Sequence, residues 1–347
     1  MRETEPRPAV IGFDTSNYRT SIAAVALDGE ILVNYRELLP VSEGERGLRQ
    51  SDAVFAHIRQ LRNGGESLRK AQEGIRIAAV AASIRPRDSE ESYMPVFQAG
   101  HTAGSLLASA LNVPFFATTH QRGHLAAALH GTALEGQERY LAVHLSGGTT
   151  DLLEVSRNAV IRIGGSADLH AGQLVDRAGV AMGLPFPSGE KLEELAVRGK
   201  AEGRLGCSLE NQDLTCHFSG AETKVQQWIR EESMPQEDIA REVYDLLART
   251  LVRMLKAGAE KTGLQTALIT GGVASSALLR QLVAERAART RGCPETVYGK
   301  PEMSGDNAVG VALIGIHCLQ DGGSYGSTDP GRQEHVGKPA EGDRGAG

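Results

Sequence analysis

The sequence predicts an α/β protein assembled from two related units. A pattern of strand, small-residue turn and strand occurs twice, roughly 130 residues apart, which points to a duplicated domain. In both halves apolar strand-like runs alternate with helical stretches, the arrangement expected of helices packed on central sheets. Composition agrees: of 347 residues, 41% are hydrophobic, 23% charged and only 4% aromatic, while 41 are glycine. That is an ordinary globular balance, rich in turns and poor in aromatic platforms. The length gives a prior of about two domains, each large enough to bury its own core.

Residues 9–13 (Ala-Val-Ile-Gly-Phe) read as a buried strand ending at Asp14-Thr15-Ser16. Residues 21–27 and 31–33 read as two further strands joined at Asp28-Gly29, a tight hairpin turn. Residues 42–50 are polar and rich in Gly, Glu and Arg, hence a loop. Residues 77–83 form a strand, 101–111 an Ala/Leu-rich helix and 113–117 a short strand. Thr118 or Thr119 then caps a helix carrying His120 and His124 in its first turns. The second unit repeats the first: strand 141–145, turn Ser146-Gly147-Gly148-Thr149-Thr150, strand 152–155. Helices are expected near 190–198, 237–261 and 277–289, with strand 267–270 running into Gly271-Gly272. From about 320 onward the chain is Gly, Pro, Ser and charge, with almost nothing to bury, and reads as a disordered tail.

Several classes fall away. A net charge of −6 argues against a chain that is basic throughout, although a local patch or a partner could still recruit nucleic acid. Cys207, Cys216, Cys293 and Cys318 show neither CxxC pairing nor zinc-ribbon spacing, so they read as free thiols. No apolar run has spanning length and residues 1–6 show no signal-peptide pattern, so no membrane association and a cytoplasmic location are expected. There is no Walker A motif and no GxGxxG, which sets aside P-loop and Rossmann readings. Ser146 lacks the G-x-S-x-G elbow of a hydrolase nucleophile.

The chemistry-bearing residues are few. His120 and His124 stand one helical turn apart, on one helix face, where both imidazoles can reach one cation. Such ligands suit Fe or Zn and leave positions open for substrate. Ser146-Gly147-Gly148, Asp14-Thr15-Ser16 and Gly271-Gly272-Val273 are turns in which glycine or small residues let backbone N–H groups approach a phosphate. The third leads into a helix N-terminus. Each could equally be a plain tight turn. Asp306 could cap the helix that begins near Asn307. His57 and His101 read as surface histidines. His144 and His170 lie at the rim of the site without an assigned role.

On these motifs the chain, from about residue 8 to 319, resembles the catalytic subunit family of tRNA threonylcarbamoyladenosine synthase, once labelled O-sialoglycoprotein endopeptidase. The resemblance implies the duplicated actin/Hsp70/sugar-kinase fold, two lobes with a nucleotide cleft between them. It places a first lobe at 1–125 plus 305–320, a second at 126–304 and a tail at 321–347. The implied activity is transfer of threonylcarbamoyl from its adenylate to N6 of adenosine 37 in tRNA. The implied cofactors are one divalent metal ion, Fe or Zn, on His120, His124 and Asp306, and an ATP/AMP-type nucleotide or acyl-adenylate. The implied nucleotide and substrate contacts are Leu145, Ser146, Gly147, Gly148, Asp176, Gly189, Gly271, Gly272 and Ser276. Implied partners are tRNA, a smaller paralogous subunit and an ATPase.

The chain also departs from the family pattern. Tyr18 and Arg19 replace an acidic pair, and Arg122 replaces a glutamate between the two histidines, a charge reversal beside the metal. Thr149 replaces a histidine, Ser276 an asparagine, and Leu169 and Gln173 stand where carboxylates are usual. Residues 84–91 replace a glycine-rich stretch. Neither Tyr nor Arg manages protons at neutral pH as a carboxylate does, so no catalytic residue is assigned. A catalytically silent nucleotide- and metal-binding paralogue that scaffolds the active synthase is the alternative. Metallopeptidase activity is set aside, because His-x-x-x-His here lacks the adjacent glutamate of H-E-x-x-H.

Overall fold

A computed structural model of the protein describes residues 5–16, 19–40, 48–71, 74–89, 91–210, 212–305 and 307–322. Among these, β1 (Arg7–Thr15), β2 (Arg19–Ala26), β3 (Ile31–Leu38), β4 (Ile75–Arg85) and β5 (Phe115–Thr119) form one sheet, ordered β3-β2-β1-β4-β5. The first three strands are antiparallel, and β4 and β5 join parallel to β1. A second sheet contains β6 (Arg139–Leu145), β7 (Thr150–Ser156), β8 (Val160–Ser166), β11 (Thr266–Thr270) and β12 (Glu295–Tyr298). Its order, β12-β11-β6-β7-β8, repeats the first sheet strand for strand. The senses repeat too, antiparallel through β6, β7 and β8 and parallel through β6, β11 and β12. Two short strands, β9 (Leu209–Glu210) and β10 (Thr215–Cys216), extend it at the β8 edge.

The first sheet is covered on both faces. Helix α9 (Val309–Asp321) packs through Val309, Val311, Ala312 and Ile316 onto Val10, Ala23, Val25 and Ala81. Its approach is so close that a Cβ at Gly12 would lie 2.4 Å from the Ala308 carbonyl oxygen. Helices α1 (Gln50–Ala71) and α2 (Phe97–Leu111) cover the opposite face. Helix α3 (His120–Leu129) crosses α9 where a Cβ at Gly310 would meet the Gly123 carbonyl oxygen at 1.8 Å, so only glycine fits there. The second sheet buries its core under α4 (Ala171–Ala181), α5 (Gly189–Arg198), α6 (Ser219–Arg230), α7 (Gln236–Thr262) and α8 (Ala277–Ala287).

One helix lies outside the sequence expectations, and one expectation changes. Helix α1 was not legible, because its buried stripe is Ala53, Ala56, His57, Gln60 and Gly64, while Val54, Leu61 and Leu68 are only partly buried and Phe55 and Ile58 face solvent, which blurs the apolar period. His57, expected at the surface, is 0% exposed. Its ring lies 2.7 Å from the Thr20 hydroxyl and 2.7 Å from the Ser16 carbonyl oxygen, so each nitrogen faces a polar partner. The expected tail, 321–347, lies outside the described residues from 323 onward, and α9 continues through Asp321. No helix of the described residues is long and apolar enough to cross a membrane.

Candidate metal and nucleotide site

The site begins where β5 ends. Thr119 caps α3, its hydroxyl accepting the Arg122 N–H at 3.3 Å, so the helix starts at His120. The i,i+4 spacing then brings the His120 and His124 Nε2 atoms to 3.0 Å. Two ligands at about 2.0–2.1 Å from one ion, separated by about 90–110°, would be about 2.8–3.4 Å apart. The pair therefore fits two neighbouring positions around a divalent metal.

Behind His120 stands Asp14, 1% exposed at the end of β1, with both carboxylate oxygens 3.0 Å from His120 Nδ1. The Ser83 hydroxyl on β4 also donates to Asp14. A buried carboxylate that accepts the Nδ1 proton leaves the Nε2 lone pair facing outward, the arrangement that orients a metal-binding histidine. Asp14-Thr15-Ser16 is thus not an open turn. Asp14 serves His120, while the Thr15 hydroxyl donates to Val96 at 2.9 Å and accepts the Gly100 N–H at 3.1 Å. The expected third ligand, Asp306, lies outside the described residues, as does Tyr18. Among the described residues no group of three or more His, Cys, Asp or Glu side chains is arranged to hold a metal ion. Next to the Asp306 position, the Asn307 side chain accepts the N–H of Val309, the first residue of α9, at 3.1 Å.

The histidine row continues into the second sheet. The His144 ring, on β6, lies 5.5 Å from that of His124. One residue further, β6 ends in Ser146-Gly147-Gly148, closed by Ser146 N–H to the Thr149 carbonyl at 2.8 Å and by Gly148 N–H to the Ser146 hydroxyl at 3.3 Å. The neighbouring parallel strand β11 ends in Gly271-Gly272. Gly271 has φ +105°, and a Cβ there would lie 2.1 Å from the Leu145 carbonyl oxygen. Both turns thus sit at the carboxyl ends of adjacent parallel strands, where α/β sheets bind ligands. A Cβ at Gly147, Gly148 or Gly272 would meet nothing within 4 Å, so the outer side of each turn is unobstructed. Leu145, 1% exposed, offers only its main chain.

The remaining expected contacts support the turns. At the start of α4, Gly172 N–H donates to the Ser146 carbonyl at 3.2 Å, and a Cβ there would lie 2.7 Å from the Gly147 Cα. Asp176 accepts the Ser188 N–H at 2.8 Å and so fixes the segment leading to Gly189, whose carbonyl accepts the Tyr244 hydroxyl at 3.0 Å. The Ser276 hydroxyl caps α8 by accepting the Leu279 N–H at 3.1 Å. Gln173 accepts the His170 N–H at 3.0 Å at the start of α4.

Arg122 does not bring its charge to the histidines. Positions two apart on a helix diverge, and its guanidinium, 4% exposed, grips Asp88 through Nε at 2.8 Å and Nη2 at 2.6 Å. Arg19 reaches toward Gly305, with Nη1 3.5 Å from a Cβ built there. Asp168 also escaped the sequence reading. Burial raises its pKa, but the Ser219 hydroxyl and the Leu169, Phe218 and Ser219 N–H groups outweigh this and hold it well below the usual carboxylate range. It thereby fastens Phe218-Ser219-Gly220 at the start of α6.

The model of the TsaD family, tRNA N6-adenosine threonylcarbamoyltransferase, matches residues 94–312. The chain belongs to this family. The TsaD match takes in the histidine pair, the Ser146 turn and the Gly271 turn. Among solved structures, HypF from T. kodakarensis is 14% identical with a TM-score of 0.61, over 92% of this chain and 48% of HypF. The chain therefore spans about half the length of HypF. The ROK hexokinase from Thermus thermophilus (15% identical, TM-score 0.53) is matched over 90% of this chain and 99% of its own. The (R)-2-hydroxyglutaryl-CoA dehydratase component A from Acidaminococcus fermentans (14% identical, TM-score 0.51) is matched over the same shares, 90% and 99%. These likenesses show the fold. This TsaD-family chain has the duplicated actin/Hsp70/sugar-kinase architecture, mixed α/β with two sheets.

Proposed function

We propose that this chain transfers a threonylcarbamoyl group from its adenylate to N6 of adenosine 37 in tRNA. The observation that carries the reading is the convergence of the His120 and His124 Nε2 atoms, backed by Asp14 and continued by His144 into the Ser146-Gly147-Gly148 turn. The lobes would be 1–125 with 305–320, and 126–304. The Gly147 N–H would approach the adenylate phosphate, beside the Gly148 N–H that the Ser146 hydroxyl holds, and Gly271-Gly272 would lie along the adenosine. Asp176 and Ser276 would act through the backbones they hold, those of Ser188 and Leu279. A divalent ion, Fe or Zn, held by His120, His124 and Asp306, would supply Lewis-acid polarisation of the carbamoyl and phosphate oxygens. Asp14 would keep the Nδ1 proton on His120. The adenine amine would attack the carbamoyl carbon and AMP would leave; no general base is assigned among the side chains. With net charge −6, tRNA affinity would rest largely on partners, a smaller paralogue and an ATPase, in the cytoplasm.

One observation favours a second reading, a catalytically silent nucleotide- and metal-binding paralogue. Arg19, where the family usually carries a carboxylate, directs a guanidinium toward Gly305. Reconstitution with tRNA, threonine, bicarbonate, ATP and the upstream enzyme separates the two. Modified adenosine supports transfer; no product, with calorimetric ATP or ADP binding intact, supports the silent scaffold.

A further inference from the structure

Outside the proposed site, two thiols are held against each other on the β9–β10 hairpin. Cys216 ends β10 and pairs with Leu209 across the antiparallel ladder, while Cys207 lies two residues before Leu209 on the other strand. The Cys207 thiol lies 3.4 Å from the His217 carbonyl oxygen, which seats it beside the residue following Cys216. Their exposure differs. Cys207 is partly exposed and Cys216 is 0% exposed. Arg253 donates to the Cys207 carbonyl at 2.9 Å, which places a cation beside this thiol.

We propose that Cys207 and Cys216 are a redox modification site that closes to an intramolecular disulfide on exposure to a hydroperoxide. The Cys207 thiolate attacks the distal peroxide oxygen; an S–O bond forms, the O–O bond breaks, and the alcohol or water leaves with a proton. Sulfur loses two electrons and the peroxide gains them. The Cys216 thiol then attacks the resulting sulfenic sulfur; the S–S bond forms, the S–O bond breaks, and hydroxide leaves with the thiol proton as water. The geometry sets the order, because only Cys207 is reachable from solvent. The electrostatics agree. The Cys216 hydrogen bond holds Cys207 below the usual thiol range against the opposing effect of burial, aided by Thr250 and Arg253, whereas Cys216 is pushed up. A lowered pKa supplies the reactive thiolate at neutral pH. The bridge would form beside the corner held by Asp168, since the Cys216 carbonyl accepts the Ala167 N–H at 3.0 Å.

The test uses the reduced full-length chain treated with hydrogen peroxide, blocked with N-ethylmaleimide and digested without reductant. A Cys207–Cys216 linked peptide that dithiothreitol reverses is expected, with Cys293 and Cys318 remaining alkylated. Cys216→Ser should leave a dimedone-trappable sulfenic acid on Cys207, and Cys207→Ser should slow peroxide consumption by about tenfold or more. Should the Cys216 variant misfold, wild-type labelling decides: iodoacetamide at neutral pH should modify Cys207 ahead of Cys293. Absence of the linked peptide, bridges to Cys293 or Cys318 in equal yield, or equal labelling of Cys207 and Cys293 would overturn the proposal.

Discussion

Arg122 and Asp88 meet in a two-pronged ion pair that joins the two sheets. Asp88 follows β4 of the first sheet and also accepts the Val160 N–H of β8 at 3.1 Å, while Arg122 Nη1 donates to the Arg157 carbonyl at 3.2 Å.

Removing one partner should cost much more than removing both. With Arg122 only 4% exposed, Asp88→Ala leaves a buried cation and should destabilise by about 3–5 kcal/mol. The double replacement Arg122→Met, Asp88→Leu should lose substantially less. Urea denaturation of the single and double variants measures the coupling, and additive losses would deny it.

Asp14→Asn should weaken binding of Zn²⁺ or Fe²⁺ about 10–100-fold, the usual effect of losing a carboxylate behind a ligating histidine. The His120→Ala, His124→Ala double variant should lose binding altogether. Calorimetry on the folded variants, with circular dichroism as a control, checks both. Wild-type affinity in the double variant removes the metal assignment.

Glycines in the two turns should separate stability from binding. Gly147→Ala adds a methyl that meets nothing within 4 Å, so unfolding should change by no more than about 0.5 kcal/mol. ATP affinity should nevertheless fall. Gly271→Ala forces a side chain onto φ +105° and into the Leu145 carbonyl, and should cost about 1–3 kcal/mol in strain alone. Thermal unfolding and ATP titration read the two effects.

His57 makes stability depend on pH. Burial lowers its pKa from the model-peptide value of 6.5, against smaller opposing effects of the Ser16 carbonyl and Asp14. The unfolded chain therefore binds the proton more readily, and folded stability should fall as pH drops below about 6.5. His57→Gln should flatten the stability profile between about pH 7.5 and 5.5. A variant whose profile matches wild type would show that His57 is not responsible.

Local features were readable because their physics is local. The strand–turn–strand repeats declare themselves by apolar runs ending in small residues, and the matching strand orders of the two sheets bear out the duplication. The helical spacing of His120 and His124 makes their convergence a matter of backbone geometry. Thr119 caps α3 as its residue type allows. Helix α1 was hidden because its fully buried stripe is alanine, histidine, glutamine and glycine while Phe55 and Ile58 face solvent, which blurs its apolar period.

The sequence by itself determined the duplicated α/β architecture, the imidazole pair and the glycine turns, since each depends on residues a few positions apart. Only the tertiary structure decided which carboxylate stands behind His120, because Asp14 lies 106 residues away. It likewise decided that Arg122 turns to Asp88, 34 residues earlier, and that His57 is buried against Thr20. A buried charge or imidazole requires a partner, but residue type does not name it. The packing of β1, β4 and α3 brings Asp14 and His120 to bonding distance.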